Sequence, residues 1–271
     1  MTRLGMVIDL AKCNGCGACA FACKAENNTR DRGHEQSFNW ADFLMKTEGT
    51  FPNTTHSVIP VLCNHCSDAP CVKICPGNPE KAGNPTKDPN GKPWKAMYKT
   101  PEGITLHDPE LCVGCGDCQK ACPYSQEKLG PSSLDGGSYS VISLNPADEN
   151  PQPRWADKTS AIPGCTASGA EIAALAGAMP PMLNAWKGGD LQPVRSDDVV
   201  EKCTFCYHRV MNGLQPACVD ACPAQARIFG DQDDANSVIY KILLNQRAFR
   251  LQEEKGTKPN VHYIGKYSPR A

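Results

Sequence analysis

Residues 13–23, CNGCGACAFAC, place four thiols within eleven residues and separate them mainly by small side chains. The pattern returns in altered form at residues 63–75, 112–122 and 203–222. These four motifs contain sixteen of the seventeen cysteines, and only Cys165 lies outside them. The repeated cysteine motif is therefore the feature that organises the chain.

The composition limits the classes of partner. With 23 glycines and 23 prolines in 271 residues, the sequence indicates a loop-rich body. A formal net charge of −1 without a basic block excludes nucleic acid as a partner and favours proteins or small redox carriers. The longest apolar stretch, EIAALAGAM at 171–179, is shorter than the roughly 20 residues that span a bilayer, so we expect no membrane span. The N-terminus lacks the pattern of an export signal.

The four motifs have two alternating layouts. Motif one contains Cys13, Cys16, Cys19 and Cys23, and motif three contains Cys112, Cys115, Cys118 and Cys122. Both have the C-x2-C-x2-C-x3-C spacing of bacterial iron–sulfur proteins. Motif two contains Cys63, Cys66, Cys71 and Cys75, and motif four contains Cys203, Cys206, Cys218 and Cys222. Both open with C-x2-C and close with C-x3-C-P after a spacer. This order predicts a duplicated two-cluster ferredoxin unit within an α+β, loop-rich fold.

The spacing suits a [4Fe–4S] cube. Three cysteines at short intervals can wrap one cube in a single loop, and the fourth, three residues further on, ligates the other cluster of a pair. Glycines such as Gly15 and Gly114 let backbone N–H groups approach the sulfurs, because no Cβ intervenes. Every motif keeps all four cysteines, so we predict four [4Fe–4S] clusters.

Two other uses of the thiols compete with this interpretation. Zinc is held by pairs of C-x2-C motifs, but a tight triplet with a trailing cysteine would leave thiols unused. Disulfide frameworks are typical of shorter chains, and the thiols here are odd in number and too tightly grouped to pair without strain. A zinc-binding structural protein remains the distant alternative.

Several segments resemble a known family. GMVIDLAKCNGCGAC, LCNHCSDAPCVKICP and KCTFCYHRVMNGLQPACVDACPAQARIFGD are similar to the four-cluster electron-transfer (beta) subunit of molybdopterin oxidoreductases of the dimethyl-sulfoxide-reductase superfamily. The arsenate, tetrathionate and polysulfide reductase branch is the nearest. The resemblance implies a relay between a membrane quinone or cytochrome subunit and a catalytic molybdopterin subunit, with no catalytic site in this chain. It also implies a peripheral position on the periplasmic side of the cytoplasmic membrane by co-export with the catalytic subunit, with the cytoplasm as the alternative. The equivalent subunit of a formate dehydrogenase or hydrogenase is the alternative.

The resemblance also implies the ligands and the domain plan. Cluster a takes Cys13, Cys16, Cys19 and Cys222, and cluster b takes Cys23, Cys203, Cys206 and Cys218. Cluster c takes Cys63, Cys66, Cys71 and Cys122, and cluster d takes Cys75, Cys112, Cys115 and Cys118. Residues 1–60 and 199–235 then form one ferredoxin-like unit, with a second unit at 61–130 inserted in it. An insertion at 131–198 and a C-terminal helix and tail at 236–271 complete the plan.

Local patterns predict the remaining elements. β-prone runs occupy 5–9 and 103–107, and residues 95–107 are expected to form a hairpin that turns at Pro101–Gly103. Helices are expected near 168–178 and over 237–249, where Val238, Ile239, Ile242, Leu243 and Phe249 have helical spacing, and a loop over 76–93. We interpret four side chains outside the ligand set as follows: Cys165 as an idle thiol, Trp155 as core or interface filler, and His65 and His208 as hydrogen-bond donors near the clusters.

Overall fold

The computed structural model describes residues 2–27, 29, 40–77, 95–109, 111–125, 140–145, 158–160, 162–177 and 198–266. Its strands are β1 Leu4–Asp9, β2 Ala41–Thr50, β3 Asn53–Leu62, β4 Met97–Lys99, β5 Thr105–His107, β6 Ile142–Asn145, β7 Val199–Lys202, β8 Arg227–Asp231 and β9 Val261–Ile264. Its helices are α1 Ala18–Asn27, α2 Pro70–Ile74, α3 Asp117–Ala121, α4 Gly169–Ala176, α5 Tyr207–Val210, α6 Ala217–Asp220 and α7 Val238–Asn245, followed by a 3-10 turn at Glu253–Lys255. Small sheets and short helices are therefore mixed along the chain.

A three-stranded sheet joins the two ends of the chain. Its order is β8-β1-β9, with β1 antiparallel to β8 and parallel to β9. Met6, Val7 and Ile8 of the central strand have no exposed surface, which fits a strand covered on both faces. The strand predicted at 5–9 is confirmed.

Three two-stranded antiparallel sheets complete the β structure of the described residues. The predicted hairpin over 95–107 is confirmed as β4 and β5, and its turn is closed where the Gly103 N–H donates to the Thr100 carbonyl. The β2–β3 hairpin was not predicted from the sequence. Strand β6 pairs with β7, so a segment from within residues 131–198 lies against the strand that leads into motif four.

The motif helices pack in two pairs. Helix α1 of motif one packs against α6 of motif four, and α2 of motif two packs against α3 of motif three. A single apolar cluster contains ten of the motif cysteines together with strand residues such as Met6, Met97 and Ile142. These cysteines thus lie inside the core and are not arranged along its edge.

Two peripheral helices were predicted from the sequence, and the structure contains both with different bounds. The helix predicted near 168–178 is confirmed as α4, which begins with a capping box between Ser168 and Glu171. The helix predicted over 237–249 is wrong at its end, because α7 stops at Asn245. Phe249 lies beyond it, where its backbone pairs with Tyr263 and its ring stacks on the tyrosine ring at 5.5 Å between centroids. Val238, expected in the core, is 63% exposed.

Two sequence interpretations fall outside the described residues. Trp155 is one, and most of the loop expected over 76–93 is the other. Only Pro76 and Gly77 of that loop are described, and they have no regular secondary structure.

Candidate metal centres

Short helices separate the third and fourth cysteines of the motifs. Cys118 lies in the first turn of α3 and Cys122 caps its C-terminal end, and Cys71 and Cys75 have the same positions on α2. In motif four, Cys218 lies within α6 in the same way. A helical turn between these two thiols directs them to different surroundings, while the preceding loop carries the first two cysteines.

One cavity collects thiols from both ends of the chain. It is a space of about 330 Å³, partly open to solvent. Its lining includes four cysteines, Cys13, Cys16, Cys19 and Cys222. The Ala226 N–H donates to Cys222 Sγ at 3.3 Å, so at least one sulfur also accepts a backbone hydrogen bond.

A second space of about 310 Å³, also partly open to solvent, collects thiols from motifs two and three. Its lining includes Cys75, Cys112, Cys115 and Cys118. The Met97 N–H donates to Cys75 Sγ at 3.4 Å, and the Gly114 N–H donates to Cys112 Sγ at 3.5 Å. The two cavities therefore have the same construction, with three thiols from one motif and one from another.

A third group of thiols is buried between motifs one and four. The Asn27 side-chain amide lies 3.6 Å from Cys23 Sγ and 3.9 Å from Cys206 Sγ, so it joins sulfurs from the two motifs. Burial, and then the proximity of Cys203, Cys218 and Cys206, raise the pKa of Cys23 well above its usual value. The other three thiols therefore surround Cys23.

A fourth group surrounds Cys63. Burial raises the pKa of Cys71 to about 12, and the neighbouring Cys63 adds to the effect. Burial raises the pKa of Cys66 to about 11 despite a hydrogen bond from Thr257, again with a contribution from Cys63. Burial and Cys63 also raise the pKa of Cys122. Because metal ligation requires thiolates, loading such sites releases protons, and positive charge nearby favours it.

Buried cations provide that positive charge, and no sequence pattern predicted them. Arg227 is 4% exposed, and its Nη1 lies 3.9 Å from Cys218 Sγ. Lys202 is 1% exposed and donates to the Cys203 carbonyl at 2.6 Å. Lys99 is only partly buried and donates to the Cys66 carbonyl at 2.8 Å. A lysine directly before a motif is visible in the sequence, but its burial is not.

The two motif histidines have different surroundings. His65 is buried, its Nδ1 accepts the Thr105 N–H at 3.2 Å, and its ring stacks on Phe205 with 3.7 Å between centroids. Burial, and then the charges of Lys202 and Lys99, hold its pKa well below the usual value, so the ring is neutral and carries its proton on Nε2. That atom has no hydrogen-bond partner among the described residues. His208 is part-buried, with Nε2 2.7 Å from a Glu26 carboxylate oxygen.

The donor set fits iron–sulfur clusters. Each cavity has four sulfurs on its wall, backbone N–H groups reach some of them, and buried cations and a buried imidazole N–H lie beside the deeper groups. Within the described ranges, no three His, Cys, Asp or Glu side chains converge closely enough to hold a single metal ion. Cys165, which belongs to no motif, is exposed. No helix in the described part of the chain has both the length and the apolar character to cross a bilayer.

Comparisons with known proteins agree with this chemistry. A 4Fe-4S dicluster domain model matches residues 191–232, and 4Fe-4S binding domain models match residues 104–126 and 4–25. These matches cover motifs four, three and one. The protein binds [4Fe–4S] clusters.

Relatives that align over nearly the whole chain specify the family. The chain is 41% identical to the arsenate respiratory reductase iron-sulfur subunit of Shewanella sp. (strain ANA-3), covering 97% of this chain and 96% of the relative. It is 30% identical to a selenate reductase subunit of Mesobacillus selenatarsenatis, over 96% and 70% of the two proteins. It is 27% identical to a polysulfide reductase chain of Wolinella succinogenes, over 97% and 94%. The chain therefore belongs to the family of electron-transfer iron–sulfur subunits of dimethyl-sulfoxide-reductase-superfamily oxidoreductases.

Proposed function

We propose that the chain relays electrons through four [4Fe–4S] clusters between a quinone- or cytochrome-linked membrane subunit and a catalytic molybdopterin subunit. Bound clusters supply one-electron redox chemistry over a wide range of potentials. The residues of the chain ligate the iron, donate hydrogen bonds to sulfur and keep water away. The observation that carries the proposal is the convergence of four thiols from two distant motifs around each of two cavities.

The proposal includes the ligand sets. We assign cluster a to the cavity of Cys13, Cys16, Cys19 and Cys222, and cluster d to the cavity of Cys75, Cys112, Cys115 and Cys118. Cluster b takes Cys23, Cys203, Cys206 and Cys218, and cluster c takes Cys63, Cys66, Cys71 and Cys122. Support comes from the Asn27 contacts to two sulfurs of set b and from the influence of Cys63 on its three neighbours. The paired packing of α1 with α6 and of α2 with α3 supports one ferredoxin-like unit inserted in the other.

We also propose that the clusters follow the order a, b, c, d in space. Cys19 of set a is an electrostatic neighbour of Cys218 of set b. Cys63 of set c is likewise an electrostatic neighbour of Cys203 of set b. Cys71 of set c acts likewise on Cys118 of set d. These neighbour relations link the four thiol groups in a row.

The ends of this row are the places for electron exchange with other subunits. Cys16 of set a and Cys115 of set d are exposed, whereas every thiol of sets b and c is buried. An electron carrier outside the protein approaches most closely at the two exposed thiols. This arrangement supports docking of the membrane subunit at one end and of the catalytic subunit at the other.

Within the family, we place the chain in an anaerobic respiratory reductase that acts on arsenate or a related oxyanion or sulfur compound. The 41% identity to the arsenate respiratory reductase subunit over 96% of its length supports this assignment. The test is to purify the complex through this subunit, assay the bound metal for molybdenum, and compare arsenate, selenate, tetrathionate and polysulfide as electron acceptors. Nickel in place of molybdenum would assign the chain to a hydrogenase.

We further propose that the complex lies on the periplasmic side of the cytoplasmic membrane, as the resemblance to exported reductases implies. Fractionation of cells, followed by protease treatment of spheroplasts, tests the position. Recovery of the subunit in a protease-protected cytosolic fraction would contradict it.

The cofactor count has a direct test. Purified without oxygen, the chain should be brown and contain about sixteen irons with an equal amount of acid-labile sulfide, four for each cube. A folded, colourless protein that contains zinc and no sulfide would instead support the structural zinc alternative.

A further inference from the structure

The buried guanidinium of Arg227 has no carboxylate partner among the described residues. Arg227 opens β8, where its backbone pairs with Ile8, and its side chain is 4% exposed. Its Nη1 lies 3.7 Å from Met6 Sδ and 3.9 Å from Cys218 Sγ. None of the ion pairs found between described residues includes Arg227. The hydrogen-bond contacts of this guanidinium are therefore to sulfur atoms.

A guanidinium keeps its charge even in the interior, because its pKa is too high for it to lose the proton. A buried charge needs a counter-charge, since removal from water is otherwise strongly unfavourable. Arg227 faces two thiol groups, because it lines the cavity of Cys13, Cys16, Cys19 and Cys222 while its Nη1 lies 3.9 Å from Cys218 Sγ. The counter-charge that this position can receive is the negative charge of thiolates bound to iron.

A second buried cation, Lys202, lies beside the thiol groups of sets b and c. Lys202 ends β7 and is 1% exposed, and its Nζ donates to the carbonyls of Cys203 and Thr105. Thr105 in turn donates its N–H to the ring of His65, which lies between Cys63 and Cys66 of set c. Against the larger effect of burial, the charge of Lys202 also favours the thiolates of Cys203 and of Cys71. These two cysteines belong to sets b and c. Each buried cation therefore lies at a junction between two thiol groups.

Given the ligand sets proposed above, we propose that Arg227 and Lys202 are fixed counter-charges that raise the reduction potentials of clusters a and b and of clusters b and c, respectively. An added electron makes a cluster more negative, so a buried cation beside it favours the reduced form. Cluster b lies beside both cations and receives both contributions. Neither residue is a ligand. Both act on the clusters only through the electrostatic field at the iron, and they are therefore positioning residues.

The experiment is a potentiometric titration of the purified complex, followed by electron paramagnetic resonance. The variants are Arg227→Gln and Lys202→Gln, which remove the charge, and Arg227→Lys and Lys202→Arg, which keep it. We expect Arg227→Gln to shift the reduction equilibria of clusters a and b by at least tenfold toward the oxidised form, which is about 59 mV for one electron. Lys202→Gln should lower the potentials of clusters b and c. The charge-keeping variants should restore most of each shift.

The matched control is Arg250→Gln. Arg250 forms an ion pair with Glu253 at 3.2 Å on the surface, and this substitution should leave all four potentials unchanged. If Arg227→Gln loses clusters while Arg227→Lys retains them, the requirement for charge is supported. If both variants lose clusters equally, or if potentials stay the same in variants with full iron, the proposal is overturned.

The same samples separate this proposal from the proposed relay. Iron and sulfide content and the number of cluster signals test the relay, whereas the potentials test the counter-charges. Four intact signals with unmoved potentials would leave the relay in place and remove only the role of Arg227 and Lys202.

Discussion

Besides their spacing, motifs one and three differ from motifs two and four in the residue before the second cysteine. The residue before the second cysteine is Gly15 in motif one and Gly114 in motif three, with φ of 71° and 70°. At the same position motif two has His65 and motif four has Phe205, with φ of 44° and 53°. All four loops therefore need the left-handed conformation there, but only two of them use the residue that adopts it freely.

The difference in loop residue accompanies a difference in which thiols are reached from solvent. In the glycine motifs the second cysteines, Cys16 and Cys115, are exposed. In the other motifs a bulky ring accepts an unfavourable φ and is held by tertiary packing, since His65 and Phe205 are each 1% exposed and stack on each other. The corresponding cysteines of these motifs are buried. One loop geometry thus serves both the exposed and the buried second cysteines.

The largest expected effect comes from removing the fourth ligand of a motif. Cys222→Ser should remove the cluster held by the first three thiols of motif one, and Cys23→Ser should remove the one held by motif four. The reason is that, in the proposed ligand sets, each fourth cysteine belongs to the neighbouring set, and Asn27 contacts both Cys23 and Cys206. Each variant should lose about four of the roughly sixteen irons. Electron paramagnetic resonance identifies the signal lost, and loss of the cluster of the same motif would contradict the crossed sets.

Glycine substitutions in motif three test whether the loop needs space as well as conformation. A Cβ at Gly114 would lie 2.3 Å from the Asp198 carbonyl oxygen, whereas a Cβ at Gly116 would meet nothing within 4 Å. Gly114→Ala combines steric overlap with backbone strain and should cost about 3 kcal/mol or more. Gly116→Ala has only the strain, about 1 kcal/mol. Thermal unfolding of the loaded protein measures both, and equal losses would show that conformation alone matters.

Features of the fold that depend on neighbouring residues could be predicted from the sequence. The cysteine spacing, the strand at 5–9, the hairpin at 95–107 and the helix near 168–178 each depend on neighbouring residues, so their patterns were sufficient. The helix over 237–249 was overextended, because Phe249 keeps helical spacing while its backbone pairs with a distant residue, Tyr263.

Long-range features had no local signal. The parallel pairing of β1 with β9 and the pairing of β6 with β7 join residues far apart in the chain. The ring stack between His65 and Phe205 also joins two motifs, and burial of Lys202 depends on the strands around it. The crossed ligand sets came from the family resemblance, since spacing alone states only that the fourth cysteine serves another cluster.

Oxidative damage should follow the difference in exposure. When the protein is incubated with excess ferricyanide and samples are re-reduced with dithionite at intervals, we expect the signals of clusters a and d to be lost irreversibly before those of b and c, because Cys16 and Cys115 are exposed. Phe205→Leu removes the ring that stacks on His65 and should speed the loss of the inner signals several-fold, with about 1 kcal/mol of lost stability. Electron paramagnetic resonance spectra of the re-reduced samples measure the order of loss. Simultaneous loss of all four signals would show that the exposure of a thiol does not determine how fast its cluster is lost to oxidation.

The smallest expected effect concerns the remaining cysteine. Cys165 is exposed, as Cys16 and Cys115 are, but it lies outside every motif and donates its N–H to the Ile162 carbonyl in an exposed turn. Cys165→Ala should leave iron content unchanged and alter stability by no more than about 0.5 kcal/mol, as is usual at exposed sites. Cys16→Ala, the matched change at another exposed thiol, should remove cluster a. Exposure of a thiol marks an end of the proposed row of clusters only where the loop also presents the sulfur to a cavity. A loss of iron in Cys165→Ala would therefore mean that a thiol outside the motifs also takes part in ligation.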